Sequence, residues 1–404
     1  MMREADVNAR FASGNAVSRF PGRPSSFPPA TAICRESRSY TPPCPATDDT
    51  RLTDRPGEER FREGETRFPD CMGPVFAGVP LIFLILFFAA ATAFGSGSTN
   101  SGDQTTLIVV AGAPGEETYQ KNFEKWVGLW EMAARAGGAK FIGIGLGPTN
   151  PCATDLDRLK QTVAAESRES AGELWIVLIG HGTFDGKEAK FNLRGPDLSA
   201  RALAELLNPF HRPLAVVNCA SASGPFINLL SATNRVVITA TRSGYEQNYA
   251  RFGQYFSEAI ADPGGDLDKD GQISLLEAFL MASRRVVEFY NTEGRLATEH
   301  ALLDDNGDGL GTPADWFRGI RATKKARDGA TADGLRAHQF HLIRSEQEKQ
   351  LPPTVRARRD ELELSIERLH ETKRQRVEEE YYQELEKLLV ELAKLYGPNS
   401  QGRQ

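Results

Sequence analysis

Five short apolar runs, rich in β-branched residues and separated by amphipathic stretches, constrain the fold of this 404-residue chain more than any other feature. The runs are 105–113, 140–147, 173–180, 213–219 and 235–241, and the helical stretches lie near 118–136, 153–170, 199–207 and 246–261. Strands that are apolar on both faces are typical of parallel sheets covered by helices. The sequence therefore predicts an α/β fold, with an open, mainly parallel sheet and helices on both faces.

The third and fourth predicted strands end in residues that can carry out chemistry. The third ends in "GHGT" with His181, and the fourth ends in "NCASASG" with Cys219. In open α/β sheets, reactive side chains gather beyond the carboxyl ends of the strands. Neighbouring strands would bring His181 within reach of Cys219, as the base that activates a thiolate. The backbone N–H groups of Gly182 and Cys219 would then form an oxyanion hole.

These motifs resemble the caspase and legumain superfamily of cysteine peptidases. A strand ending in His-Gly, a second ending in Cys before small residues, and the segments "TTLIVVAGA" and "RVVITATRSGYEQNYARFGQYF" are most similar to the legumain branch. The resemblance covers residues 105–262. It implies a peptidase domain, placed at 105–320, that hydrolyses peptide or protein substrates as an endopeptidase with His181 and Cys219.

The specificity positions depart from the family pattern. The caspase Gln-Ala-Cys signature is absent around Cys219, and the positions that form the asparagine pocket of legumain are occupied by Val217 and Gln120-Lys121. Under the resemblance, Arg242 and Ser243 line the primary specificity pocket. Arg242 together with Lys121 would favour an acidic substrate side chain.

Other interpretations of the dyad stay open. His181 could be a core histidine, and Cys219 could be a buried thiol or one half of a disulfide with Cys152. The domain would then be a non-catalytic, calcium-dependent surface binding module that keeps the peptidase-like fold. A transamidase or ligase could also use the same dyad, since an amine can resolve an acyl-thioester in place of water.

The stretch "DLDKDGQISLLE", residues 266–277, matches the EF-hand calcium loop at every ligand position. The predicted ligands are Asp266, Asp268, Asp270, Gln272 through its carbonyl, Ser274 and Glu277. Gly271 stands at the sixth position, where the loop turns sharply, and amphipathic stretches flank the loop on both sides. The motif predicts a bound calcium ion that stabilises the domain. The loop and its flanking helices would form a helical insertion in the α/β fold.

A weaker acidic loop follows in "DDNGDGLGTPAD", residues 304–315. Asp304, Asn306 and Asp308 fit the first half of a calcium loop, and Asp315 stands at the twelfth position. A proline at position 313 interrupts the helix that should follow. Whether this second loop binds calcium stays open from the sequence.

The last part of the chain carries a polar stretch and then a charged helix. Residues 321–353, with a basic cluster and two prolines, are predicted to be a linker. Residues 354–396 contain no Pro or Gly and repeat leucine at heptad-like spacing. This spacing is typical of a long coiled-coil-like helix that self-associates or docks.

The N-terminal residues indicate targeting. Residues 1–71 are rich in Arg, Pro and Ser and are predicted to be disordered or upstream of the true start. Residues 72–98 contain an uncharged apolar stretch that fits a signal peptide or a membrane anchor, with 74–94 in the membrane if the segment is retained. The protein is therefore expected to be exported, to the periplasm or the extracellular space, or to be anchored by a single span.

The distribution of charge excludes one class of partner. The formal net charge at pH 7 is −6, and basic residues are interspersed with acidic ones. Nucleic-acid binding requires a basic patch or stripe, so no nucleic-acid partner is expected.

Overall fold

The computed structural model describes residues 104–149, 152–327 and 331–396. The strands in this part of the chain are β1 (Thr106–Ala111), β2 (Lys140–Ile144), β3 (Leu174–Ile179), β4 (Gly182–Phe184), β5 (Ala189–Phe191), β6 (Leu198–Ser199), β7 (Leu214–Asn218), β8 (Arg235–Thr239), β9 (Leu302–Asp304), β10 (Thr312–Pro313), β11 (Phe317–Arg318) and β12 (Arg321–Ala322). The α-helices are α1 (Glu117–Gly137), α2 (Asp155–Ala165), α3 (Ala200–Leu207), α4 (Pro225–Leu230), α5 (Phe252–Ala259), α6 (Leu275–Thr292), α7 (Leu335–Gln339), α8 (Glu346–Gln350), α9 (Pro353–Glu371) and α10 (Glu378–Leu395).

Seven strands form one sheet in the order β10-β9-β8-β7-β3-β1-β2. The strands from β2 to β8 in this order are parallel, and β9 and β10 extend the sheet in antiparallel pairs. Every residue of β1, β3, β7 and β8 is buried. The prediction of an open, mainly parallel sheet is confirmed.

Helices cover both faces of the sheet, as predicted. Successive strand residues point to opposite faces, so they enter two separate hydrophobic clusters. Val177 and Val217 pack on the face that α1, α5 and α6 cover. Leu178 and Val216 pack on the other face, against α2, α3 and α4.

Residues 321–353, predicted to be a linker, belong instead to the folded domain. They contain β12, α7 and α8, and Ala337, Phe340 and Leu342 lie in the hydrophobic cluster that α1 and α6 share. The Phe340 ring lies edge-on to Trp175 of β3, with the ring centroids 5.9 Å apart. The prediction was wrong because a few apolar side chains in a polar stretch are enough to dock it on the core.

Residues 354–396, predicted to be one long helix, form two helices. A turn at Lys373–Gln375 separates α9 from α10, and the two helices pack against each other. Leu362 and Leu369 of α9 are buried, as is Tyr381 of α10. The leucines of α9 therefore serve packing within the chain, and self-association through 354–396 stays a prediction.

The predicted disordered region 1–71 and the predicted signal peptide or anchor at 72–98 lie outside the described residues. Among the residues that the structure describes, no helix is both long and apolar enough to cross a membrane. All of the described residues belong to the same compact unit.

Candidate functional sites

The predicted dyad lies at the carboxyl edge of the parallel sheet. Because β3 and β7 are neighbouring parallel strands, His181 and Cys219 follow adjacent strand ends. The Cys219 backbone N–H donates to the Leu178 carbonyl at 2.9 Å and so extends the ladder by one residue. The structure brings the two residues to one edge of the sheet, but it keeps Cys219 in line with the strand.

The Cys219 side chain is buried in the hydrophobic core. It is 2% exposed and belongs to the cluster between the sheet, α1 and α5. A Cβ placed on Gly253 of α5 would lie 2.8 Å from the Cys219 Cβ, so this helix packs directly on the cysteine. Burial, and then the negative charge of Glu299, raise the pKa of the Cys219 thiol far above its usual range. A protonated thiol is a poor nucleophile, and the role of Cys219 as a thiolate nucleophile stays a prediction.

The alternative disulfide is not formed either. Cys152 is exposed, Cys219 is buried, and no bond joins the two sulfur atoms. Cys219 is thus a buried thiol that forms no disulfide.

His181 sits among aromatic rings. Its ring centroid lies 4.8 Å from that of Tyr119, 5.4 Å from that of Phe123 and 5.8 Å from that of Tyr249. The Tyr119 and Phe123 contacts are edge-to-face, the geometry that aromatic quadrupoles favour. The imidazole is thus half-buried and held by packing.

Burial sets the protonation of His181. Loss of solvent lowers the pKa of the imidazole, and a hydrogen bond to the Pro114 carbonyl and the charge of Glu116 oppose this effect. The lowered pKa favours the neutral imidazole, which could accept a proton. However, no hydrogen bond in the described part of the chain links it to Cys219.

The two backbone N–H groups predicted to form an oxyanion hole are already used. The N–H of Cys219 belongs to the strand ladder, and the N–H of Gly182 donates to Ser221 Oγ at 3.2 Å. The Ser221 hydroxyl donates back to the Gly182 carbonyl at 3.2 Å. A Cβ on Gly182 would lie 2.2 Å from the Ser221 carbonyl oxygen, so the small-residue loop closes directly over this position. The small side chains of the loop "ASASG" permit this close approach.

The predicted specificity residues are paired with neighbours on their own segments. Arg242 Nε lies 3.1 Å from Glu246 Oε1, and Lys121 Nζ lies 2.7 Å from Glu117 Oε1. Both cationic side chains are mostly exposed, and Ser243 contributes a backbone carbonyl as an acceptor within its turn. Because each charge is neutralised locally, the predicted preference for an acidic substrate gains no support.

Glu299 is a buried carboxylate at this edge that the sequence reasoning missed. It accepts hydrogen bonds from the backbone N–H groups of Arg251 and Phe252 at the start of α5, and from the Tyr290 hydroxyl at 3.2 Å. Burial raises the pKa of Glu299 against these bonds. The sequence around Glu299, "ATEH", matches no motif. Its role as an acceptor at the start of α5 is therefore identified only by the packing of that helix.

The first acidic loop gathers its predicted carboxylates. One oxygen from each of Asp266, Asp268 and Asp270 lies within 4.8 Å of the others. Asp268 and Glu277 satisfy the same distance in a second group, which adds His338 of α7. Convergent carboxylate oxygens are the donor set that Ca²⁺ prefers, so these residues fit the predicted ion.

Backbone hydrogen bonds hold the first loop in this shape. Gly271, with φ of 85°, donates to Asp266 Oδ2 at 3.2 Å across the sharp turn. Glu277 is 1% exposed and accepts from the N–H groups of Leu267 at 2.7 Å and Ser274 at 2.9 Å. Ser274, a predicted ligand, caps the N-terminus of α6, while the Gln272 side chain accepts from Ser345. Glu277 thus closes the loop at the beginning of α6.

The second acidic loop repeats the first half of this pattern. Asp304, Asn306 and Asp308 accept backbone N–H groups three, two and two residues further on, as the corresponding residues of the first loop do. The end of the loop differs, because the chain continues into β10 of a β-hairpin. Asp315 is exposed in the turn Ala314–Trp316 and joins no group of three convergent ligands among the described residues. Its predicted role as the closing ligand is therefore not supported.

Comparison with known proteins finds a low similarity to solved caspase structures. No protein-family model and no curated protein matches the chain. The chain is similar to the Drosophila initiator caspase Dronc, with 14% identity and a TM-score of 0.36 over 50% of this chain and 80% of that one. It is also similar to caspase-1 from Spodoptera frugiperda, with 9% identity and a TM-score of 0.33 over 50% of this chain and 87% of that one. At these values the likeness says nothing about activity, and the α/β class rests on the strand order itself.

Proposed function

We propose that this chain is a calcium-stabilised, caspase-like α/β domain that binds a polypeptide partner and does not hydrolyse peptides through Cys219. The burial of Cys219 under α5 supports this function best. Thiol catalysis needs an accessible thiolate, a base bonded to it and free donors for the oxyanion. At this strand end burial raises the pKa of the thiol, no hydrogen bond among the described residues links it to His181, and the Gly182 N–H donates to Ser221.

A polypeptide partner is proposed from the surface at the same edge of the sheet. The Tyr245 side chain is 77% exposed, and its ring lies edge-on to that of Phe184, with centroids 5.2 Å apart. Exposed aromatic side chains are enriched in the contact surfaces of proteins. This pair therefore offers a binding surface that needs no reaction at Cys219.

Calcium is proposed at the first acidic loop. Carboxylates gathered in a short loop repel one another, and a divalent cation removes that repulsion. The loop joins α5 to α6, and these two helices pack against each other. Because α5 also packs on Cys219, an ion in the loop would stabilise the helix that covers the strand edge.

A second calcium ion is proposed at the loop that begins with Asp304, with a changed set of ligands. Asp304 is 1% exposed, and neither its Oδ2 nor the buried hydroxyl of Ser231 has a hydrogen-bond partner among the described residues. Burial raises the pKa of Asp304, and the Ser231 hydroxyl, which lies close to this carboxylate without meeting hydrogen-bond geometry, lowers it in part. A buried oxygen without a donor is costly, and a cation bound to it removes that cost. Ser231 would take the place predicted for Asp315, beside Asp304, Asn306 and Asp308.

Alkylation of the full-length protein tests the proposed absence of thiol catalysis. Native protein is incubated with a peptidyl electrophile and with iodoacetamide, and labelled cysteines are located by peptide mapping. We expect Cys219 to stay unlabelled until the protein is denatured, because its sulfur is buried. Exposed Cys152 is the matched control for reagent quality.

The opposite result would restore the peptidase. Rapid labelling of native Cys219 by the peptidyl probe, lost in His181→Ala, would establish a reactive dyad and overturn the proposed function. Release of a peptide fragment would then indicate an endopeptidase, and transfer to an added amine would indicate a transamidase or ligase.

A further inference from the structure

A histidine reaches the first acidic loop from a part of the chain that lies far away in sequence. His338 Nε2 lies 2.9 Å from Asp268 Oδ2. One atom each from His338, Asp268 and Glu277 lies within 4.8 Å of the other two. The loop motif contains no histidine, so this nitrogen is an addition to the EF-hand pattern.

A second histidine with an available nitrogen lies beside the first. His341 is 6% exposed, and its Nε2 has no hydrogen-bond partner in the described residues, while its Nδ1 faces the Gln339 carbonyl. The ring centroids of His338 and His341 are 6.2 Å apart. Both rings line one groove of about 1260 Å³ together with Asp270 of the loop. A buried imidazole nitrogen that accepts no hydrogen bond has a lone pair with which it can bind a metal ion.

The chemistry of these donors differs from that of a calcium site. Ca²⁺ is bound by oxygen ligands, whereas Zn²⁺ is bound by imidazole nitrogen together with carboxylate oxygen. A nitrogen donor favours late first-row metals over Ca²⁺. The loop therefore holds two overlapping ligand sets, one of oxygens alone and one that includes His338.

We propose that His338, Asp268 and Glu277 form a site for a late transition metal such as Zn²⁺, which competes with Ca²⁺ for the first acidic loop. His341 lines the same groove beside His338 but is not one of the three convergent ligands. Because Asp268 and Glu277 belong to both ligand sets, the inference rests on the proposed calcium function for the shape of the loop. Zinc binding itself does not require that calcium binds.

Titration of the full-length protein with Zn²⁺ tests the site. Isothermal titration is carried out on chelator-treated protein, with and without millimolar Ca²⁺, and Co²⁺ replaces Zn²⁺ for visible absorption spectra. We expect a Zn²⁺ affinity that falls as Ca²⁺ is added. In His338→Asn we expect Zn²⁺ affinity to fall at least about tenfold and Ca²⁺ affinity to change less than about threefold, since calcium does not use nitrogen.

His300→Asn is the matched control, because His300 Nδ1 also contacts a carboxylate, lying 2.6 Å from Glu246 Oε1, but away from the loop. This control should leave the affinities for both ions and the Co²⁺ spectrum unchanged. Equal Zn²⁺ affinity in wild type and His338→Asn would overturn the inference. If the wild type binds Ca²⁺, Zn²⁺ binding that Ca²⁺ does not affect would overturn it as well. His338-dependent Zn²⁺ binding without any Ca²⁺ binding would refute the calcium proposal alone. Ca²⁺ binding without Zn²⁺ binding would refute the zinc site alone.

Discussion

Two regions carry chemical motifs, and the fold treats them in opposite ways. At the end of β7, the groups expected to react form structural contacts instead. Cys219 lies under α5, and the Gly182 N–H donates to Ser221 Oγ. In the loop from Asp266 to Glu277, the carboxylates converge on one another. The first region uses its polar groups to hold the structure, whereas the second gathers charges that a bound cation would stabilise.

The difference follows from where each motif finds its partners. A calcium loop is complete within twelve residues, so its own sequence specifies its geometry. The geometry of a catalytic dyad depends on the side chains that pack over two strand ends. Those side chains come from distant parts of the chain. A local motif is thus the safer guide to function.

The largest expected effect is the loss of calcium stabilisation. A ligand that binds only the folded state adds about 2.7 kcal/mol at a hundredfold excess over Kd, so millimolar Ca²⁺ should raise the Tm of chelated protein by several degrees. Glu277→Gln should abolish most of this rise, because Glu277 closes the loop. Scanning calorimetry with and without chelator measures the change. Asp185→Asn is the control, because Asp185 lies in an exposed turn with similar hydrogen bonds. An equal Tm of the wild type with and without calcium would remove the contrast between the two regions.

The next effect concerns the helix that covers the cysteine. Gly253→Ala should destabilise the domain by about 1–3 kcal/mol, as overpacking of a core does, because the new Cβ would lie 2.8 Å from that of Cys219. Cys219→Gly in the same chain should recover part of the loss. Chemical denaturation of the two single variants and the double variant measures the coupling. Strict additivity would show that α5 does not press on the cysteine.

A smaller effect is expected in the pH dependence near the second loop. Burial, and then the charge of Asp305, raise the pKa of Asp333 in the folded protein. Its stabilising contribution is present below the unfolded pKa and is lost as pH rises through the raised folded pKa. Asp333→Asn, measured in chelator, should therefore raise the Tm at about pH 9 and bring little gain at about pH 4. A gain that is the same at both pH values would contradict a titrating Asp333.

The smallest effect is expected at the predicted specificity residues. Arg242 is mostly exposed and pairs with the largely buried Glu246, and ion pairs at the surface contribute about 0–1 kcal/mol. Arg242→Ala should therefore change the free energy of unfolding within that range, and Lys121→Ala should behave alike. Denaturant titration measures both. A much larger loss at Arg242 alone would point to a role at the strand edge that its exposure does not suggest.

Much of the sheet could be predicted from sequence, because buried strands such as Leu174–Ile179 are apolar at every position. Short antiparallel strands such as Thr312–Pro313 contain too few residues to show the alternation of apolar and polar side chains that predicts a strand. The convergence of Asp266, Asp268 and Asp270 could be predicted because all three residues lie within one short loop. The burial of Cys219 was not visible, since it depends on Gly253 and Glu299, which lie far along the chain.

The contact between Phe340 and Trp175 has a consequence for how the protein is made. Trp175 lies on a central strand, and its contact Phe340 is synthesised much later than this strand. Beside this contact, Arg344 Nη2 lies 2.5 Å from Glu173 Oε1. During synthesis the sheet face around Trp175 stays uncovered until most of the chain has emerged. Contacts so distant in sequence slow folding, so the nascent domain stays incompletely folded for much of its synthesis.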